Sequence, residues 1–512
     1  MTAAPAQHAT HARIASSAPP AVLIGTPRTL SEAVRLLPDG GPHVAGMVLV
    51  ADPEADAGPA PEIVGLPTLG SLEALGDLHD RLGVAMAIVC LPLDEADLIA
   101  RVRAEIGRAG LEERFVPAIA DLLTRRPPVL VGVGSSGPTM ATTPRIDLQS
   151  LIGRPMRTPD PEPLRDLLRG KRVLVTGAGG SIGAELATLC GSFEPSAIML
   201  MERAENALFE IDRRLATRFP QVRRAALLHD VVDADGTRRL VTRHRPDVVF
   251  HAAAHKHVPL MEDHPRAAIE NNVFGTRSIV DAACDANAGR VVLVSTDKAV
   301  QPRSVMGATK RIAEAYTLSA DARCRADGRR TRTAIVRFGN VLGSSASVLR
   351  IWSAQLADGQ PITLTDRRMS RYFMTIPEAA LLVAHAAAIE PGDAAGIFVL
   401  DMADPVPIAD LADRFVRAHG LEVAGAAQAG PGRVEIAETG IRPGEKLHEA
   451  LVHAAERLRP TGVDGVLRLS GTDDLLDGEA ALDELRGLGP RPTPEDVVAA
   501  LVRLVPSLAR TQ

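Results

Sequence analysis

Short apolar runs alternate with amphipathic stretches along most of the chain. AVLIG (21–25), HVAGMVLVAD (43–52) and GVAMAIVCLP (83–92) read as buried strands. Thr29 is placed to cap a helix running through Leu37, and an amphipathic helix from Asp94 to about Ala109 follows the third strand. Strands that alternate with helices imply a parallel sheet. Residues 21–132 are therefore expected to form a small Rossmann-like domain. Gly25 ends its first strand, but GTPRTLSEA lacks the later glycines that let a backbone approach a pyrophosphate. A structural or regulatory domain without a bound dinucleotide is the expectation.

A second series of strands and helices starts at Lys171. KRVLVTGAGGSIGAELATLC gives a strand, a glycine turn and a helix. SAIMLMER is a strand ending at Glu202, LLHD ends at Asp230, and DVVF leads into a run of alanines that includes Ala252. NNVFGTRSIVDAAC is an amphipathic helix. VVLVS then runs straight into Thr296, Asp297 and Lys298, and a helix starting near Met306 carries Lys310. Further on come a strand TAIVRFGNVLG, a helix opened by Pro377, a strand GIFVLDM, a Pro-Gly turn beside Arg442, a strand GVLRLS and a final helix PTPEDVVAALVRLV. The fold class expected is α/β, with two Rossmann-like doubly wound parallel-sheet domains. The second, 171–512, carries a smaller C-terminal substrate-binding subdomain mostly within 340–460. Between the domains, 133–170 is rich in Gly, Pro, Ser and Thr and reads as a linker with a short helix at IDLQSLIG. Residues 1–20 have no charged region followed by an apolar one, so they read as a disordered tail and not as a signal peptide.

Composition narrows the function. The chain has 512 residues, a net charge of −6 and an ordinary 23% of charged residues, which argues against a nucleic-acid binder. Cys90, Cys190, Cys284 and Cys324 have no C-x-x-C spacing and read as reduced thiols of a cytoplasmic protein. His255 and His257 lack further ligands at useful spacing, so no metal is expected. No apolar run approaches the ~20 residues of a membrane span, and no transmembrane anchor is expected.

The glycine turn is the strongest ligand signal. Gly177, Gly180 and Gly183 allow a tight turn, close backbone approach and helix–strand packing. Ser181 and Ile182 open the helix whose N–H groups would face a pyrophosphate. Glu202 would accept hydrogen bonds from a ribose diol and repel a 2′-phosphate, which favours NAD. Arg203 beside it could accommodate that phosphate, so NADP stays open. Asp230 is a partner for the adenine edge, and Ala252 lets the backbone pass close to the cofactor. Lys256 reads as a phosphate or sugar contact, or as a surface lysine. Thr296, Asp297 and Lys298 suit proton transfer above the sheet better than core filling. Taken alone they could also be a strand-end ion pair.

TGAGGSIG, AAAHKHVPLMEDHP, NNVFGT, VSTDKAVQPRSVMGATKRIAE, RFGNVLGSSASV, RYFMTIPEAA and TGIRPGEKLHEAL occur in this order. Over roughly 165–460 the chain resembles the nucleotide-sugar 4,6-dehydratases of the polysaccharide-biosynthesis group, within the extended short-chain dehydrogenase/reductases. The resemblance implies a UDP-sugar substrate, UDP-N-acetylglucosamine first, a tightly bound NAD regenerated at each turnover, and self-association. The N-terminal domain resembles the one preceding the catalytic domain in long, membrane-anchored members. The wider superfamily has Tyr-x-x-x-Lys where this chain has Met306-x-x-x-Lys310, a replacement the long members share. Those members are thought to retain configuration at C5.

A thioether cannot ionise, so the 4-OH base falls to Asp297, with Thr296 on the C4 oxygen. Lys298 would work at C5, which requires a neutral amine with a lowered pKa. Either Asp297 or Lys298 would protonate the departing 6-OH. Lys310 would hold the nicotinamide ribose. Asn340, Arg442 and Arg371 are candidates for the UDP moiety, or else structural turn residues. A nucleotide-sugar 4-epimerase and a non-catalytic scaffold of a glycan assembly complex are the rival readings.

Overall fold

The computed structural model describes residues 20–34, 44–50, 66–91, 96–115, 148–344, 347–390, 392, 395–425, 432–453, 456–470 and 476–510. All but the last residue of the expected tail, and 133–147 of the expected linker, lie outside them. The chain divides into two compact units, Met1–Ile146 with Val416–Val434, and Asp147–Phe415 with Glu435–Gln512.

In the first unit β1 (Ala21–Gly25), β2 (Val44–Leu49), β3 (Thr68–Gly70), β4 (Met86–Cys90) and β5 (Glu112–Phe115) form a parallel sheet in the order β3-β2-β1-β4-β5. Helix Ala96–Arg108 follows β4 as expected. Thr29 does not cap a helix. The first helix already starts at Pro27, and the Thr29 hydroxyl donates to the Cys90 carbonyl across the sheet end. Gly25 has a packing reason, since a Cβ there would lie 2.4 Å from that same carbonyl oxygen.

The second unit is built on a nine-stranded sheet. Its parallel part runs from strand Gly396–Leu400 through β11 (Arg332–Arg337), β10 (Arg290–Val294), β9 (Val248–His251), β6 (Arg172–Thr176), β7 (Ala197–Glu202) and β8 (Arg223–Leu228). The strand order reverses between β6 and β9, which opens a crevice at the carboxyl ends of the strands. Strands Val466–Ser470 and Arg457–Pro460 extend the other edge antiparallel. The second of these was not read from the sequence. Parallel strands buried on both faces explain the near-continuous Val, Leu and Ile runs. One face packs Leu186, Phe219 and Val383; the other packs Ile279, Ile312 and Leu501.

Three sequence expectations change. Helix Glu162–Leu168, inside the expected linker, buries Leu164 and Leu168 in the core of the second unit. TAIVRFGNVLG is two strands, because the chain turns at Phe338 and Gly339 between β11 and β12 (Asn340–Leu342). Between GVLRLS and the final helix, where no element was expected, lies helix Gly478–Gly487, whose Leu482 and Leu485 are core residues.

Beneath the end of β10 lies a buried ion network. The fully buried Arg337 guanidinium donates to both oxygens of Glu314 at 2.9 and 2.8 Å and to both of Glu456 at 3.2 Å. Ser295, the residue before Thr296, donates to Glu314 at 2.6 Å. This network ties β10, β11, helix Val305–Ala326 and the C-terminal segment together. Arg337→Met would strand two carboxylates, and the expected loss is about 3–5 kcal/mol, read as a lowered Tm of the second unit in calorimetry. An unchanged Tm would contradict the assigned role.

Candidate active site

The glycine turn after β6 has the geometry its spacing requires. Gly177 sits at φ +62°, and a Cβ there would lie 2.8 Å from the Ala253 backbone. A Cβ on Gly183 would lie 2.1 Å from the Gly177 carbonyl oxygen. Gly180 precedes helix Ser181–Gly191, with Ser181 and Ile182 as its first residues. The first N–H groups of such a helix have no partner within it and suit an anion. A cleft opens in front of this turn, lined among others by Glu202, Arg203, Asp230, Ala252 and Asn271. Glu202 accepts from the N–H groups of Gly179, Arg203 and Ala204 at 3.0–3.1 Å, so its carboxylate is fixed at the cleft wall. Arg203 lies 3.6 Å from Asp230 and 3.4 Å from His255 Nε2.

Asn272 was not singled out from the sequence, although NNVFGT was noticed. It lies in a π-helical segment, Ile269–Phe274, a distortion that recurs at functional sites. Its side chain accepts from His255 N at 2.8 Å and donates to His255 O at 3.0 Å and Thr309 Oγ1 at 3.1 Å. It thereby pins the loop after β9 to helix Val305–Ala326. Replacing Gly183 by Ala forces the turn to shift, at a cost of about 1–3 kcal/mol. The expected result is a loss of dinucleotide affinity of about tenfold or more in calorimetry; unchanged affinity would contradict it.

At the end of β10 the chain makes a 3₁₀ turn, Asp297–Ala299. Asp297 is fully buried. Its Oδ1 accepts from the Thr296 hydroxyl at 2.8 Å and from Lys298 Nζ at 2.9 Å. Its Oδ2 has no hydrogen-bond partner among the described residues and faces Gly339, where a Cβ would come within 3.1 Å. Lys298 Nζ also reaches Asn340 Oδ1 at 3.3 Å and lies 3.9 Å from Glu449 Oε1. Burial alone would lower the Lys298 pKa. Asp297 and Glu449 outweigh that, against Arg371, and the net effect raises it. This corrects the expectation of an amine neutralised by its surroundings.

Lys310 lies one turn along from Met306, and its Nζ donates to the Val294 carbonyl at 2.8 Å. Burial lowers its pKa to about 8, against the opposing pull of Glu314. Met306 is 3% exposed and packs in the apolar cluster with Ile269, Val273 and Ile312. The Arg371 guanidinium donates to the Ser370, Leu447 and Lys446 carbonyls at 2.7–2.9 Å and so holds the 446–447 backbone. Asn340 stands beside Lys298, whose Nζ donates to its Oδ1. Lys256 donates to Ser344 at 3.4 Å. Arg442 is exposed on its turn, with its N–H donating to Glu445.

Beside that turn lies a second cleft, lined by Val300, Arg303, Ile441, Glu445, Lys446 and His448 among others. Arg303, His448 and the buried Glu449 were not singled out from the sequence. The surrounding motif was quoted, but a charge on a loop signals nothing until the fold brings it to Lys298. Among the described residues no three His, Cys, Asp or Glu side chains gather as a metal site, and no helix is long and apolar enough to cross a membrane.

The model of the family described as polysaccharide biosynthesis protein matches residues 173–470. The chain belongs to this family. Its relatives include the Bacillus subtilis (strain 168) "Probable polysaccharide biosynthesis protein EpsC", 38% identical over 396 residues, or 77% of this chain. The match spans 62% of that relative's length. A Campylobacter jejuni "UDP-N-acetylglucosamine 4,6-dehydratase (inverting)", from strain 81-176, is 28% identical over 61% of this chain and 87% of its own. Among solved structures, Pen from Bacillus thuringiensis superposes with a TM-score of 0.50 at 29% identity, covering 59% of this chain and 86% of that one. The polysaccharide biosynthesis family and the α/β fold are thus shared.

Proposed function

We propose that the chain is a UDP-sugar 4,6-dehydratase that converts UDP-N-acetylglucosamine to the 4-keto-6-deoxy sugar for glycan biosynthesis. The observation that carries this reading is the Thr296–Asp297–Lys298 cluster, an acceptor, a relay hydroxyl and an amine within 2.8–2.9 Å at the end of β10. The glycine turn and its cleft fit a dinucleotide. Gly177 and Gly183 have no room for a side chain, the helix N-terminus faces the anion, and the Glu202 carboxylate favours the ribose diol of NAD over a 2′-phosphate. NAD, when bound, would accept a hydride from C4 of the sugar and return it at C6.

The protein's own residues would supply the proton transfers. Thr296, half-buried, is the group open to the 4-OH, and its hydroxyl already donates to Asp297. The 4-OH proton passes through it to the carboxylate. Ketone formation at C4 acidifies the C5 proton, which the Lys298 amine removes. Asp297 returns its proton to the 6-OH, which leaves as water. Lys310 supplies positive charge at the ribose. Arg303 and His448 in the second cleft, with Arg442 on the adjoining turn, offer the charge a nucleotide diphosphate needs.

Mass spectrometry of the purified chain with NAD and UDP-N-acetylglucosamine tests this. The expected product is lighter than the substrate by one water. A product of unchanged mass with altered mobility indicates a 4-epimerase, and untouched substrate indicates a scaffold.

A further inference from the structure

Lysine is scarce in this chain. Of 57 lysines and arginines only five are lysine: Lys171, Lys256, Lys298, Lys310 and Lys446. All but Lys171 border the site. Arginine stays charged throughout the accessible pH range, whereas a lysine can release its proton when buried. Scarcity therefore singles out Lys446, which sequence motifs alone left unassigned. Its Nζ donates to the Val300 carbonyl at 3.0 Å and lies 3.3 Å from Glu449 Oε2. Glu449 is itself only 4% exposed, and its other oxygen faces Lys298. Lys446, Glu449, Lys298 and Asp297 thus form a row of alternating charge that joins the C-terminal segment to the catalytic turn.

The row answers a difficulty in the proton transfers. Lys298 must shed a proton before its amine can act at C5, and by then Asp297 already holds the proton of the 4-OH. We propose that Glu449 is a positioning residue that takes the proton Lys298 sheds, with Lys446 holding its carboxylate in place. This rests on the dehydratase reading above. The transfers balance. The 4-OH proton goes to Asp297 and leaves with the 6-OH as water. Lys298 gives one proton to Glu449 Oε1, takes the C5 proton, delivers to C5 one of its ammonium protons, which exchange with solvent, and recovers its own from Glu449. The 3.9 Å gap between Nζ and Oε1 must contract by about 1 Å to become a hydrogen bond. The charged groups facing Lys298 are Asp297, Glu449 and Arg371. Neutralising Asp297 removes the main support of the ammonium and leaves Glu449 as the acceptor at hand.

Five lysines make the test direct. In the full chain labelled with ¹³C at the lysine ε carbons, five signals are expected, each assigned by a Lys→Arg variant. Glu449→Gln should lower the Lys298 titration by about one pH unit or more and leave Lys171 unmoved as a folding control. Turnover should fall roughly 100-fold, with solvent exchange at C5 falling in step. Glu449→Asp, which keeps the carboxylate, should show a smaller loss of both and carries the test if the Gln variant does not fold. A Lys298 titration unaltered by Glu449→Gln, or full turnover in that variant, overturns the proposal. If the wild-type chain leaves UDP-N-acetylglucosamine untouched while the Lys298 titration still shifts, the charge pairing stands and the dehydratase reading falls.

Discussion

Asp297→Asn is expected to cut turnover of the UDP-sugar by about 10²–10⁴-fold while dinucleotide binding survives. The amide keeps the size of the side chain, and its oxygen can still accept from Thr296. It cannot take up a proton. Asp297 is fully buried, and its carboxylate is the one to which the Thr296 hydroxyl donates. Met306 offers no alternative base, being a thioether packed among aliphatic side chains. Steady-state rates and calorimetric titration with NAD check both halves of the prediction. Near-normal turnover would remove Asp297 from the first proton transfer.

Lys298→Ala should be as damaging to turnover, about 10²–10⁴-fold, and should also alter stability in a way that Asp297→Asn does not. Lys298 lies between two carboxylates. Its pKa is raised in the folded chain, so its charge stabilises the fold fully below the unfolded value of about 10.4. That contribution is lost only as pH rises through the still higher folded value. The variant's stability deficit should therefore be fully present below about pH 10 and shrink as pH rises through the raised folded value of Lys298. Thermal unfolding across that range would show it, and a deficit independent of pH would contradict the pairing.

The parallel-sheet architecture was legible because strands buried on both faces must read as apolar runs, and the glycine turn because only glycine fits where Ala253 and Gly177 O leave no space for a Cβ. Helix Glu162–Leu168 was missed since its prolines read as breakers, whereas Pro161 and Pro163 sit at its first turn, where the missing N–H costs nothing. The Thr296–Asp297–Lys298 cluster was visible as polar residues on a strand end. Its electrostatics was not. The raised Lys298 pKa comes first from the adjacent Asp297 and then from Glu449, 151 positions away in sequence, which the fold alone brings to it. The partners of Arg371 were hidden for a similar reason, because the carbonyls it donates to include those of residues 446 and 447.

The central claim is dehydration through proton removal at C5. Its most direct test is to incubate the chain with NAD and UDP-N-acetylglucosamine in D₂O and to read the product by NMR. A 4-keto-6-deoxy sugar carrying one solvent deuterium at C5 is the predicted result. A product with no deuterium at C5, or a sugar that keeps its 6-OH, would contradict it.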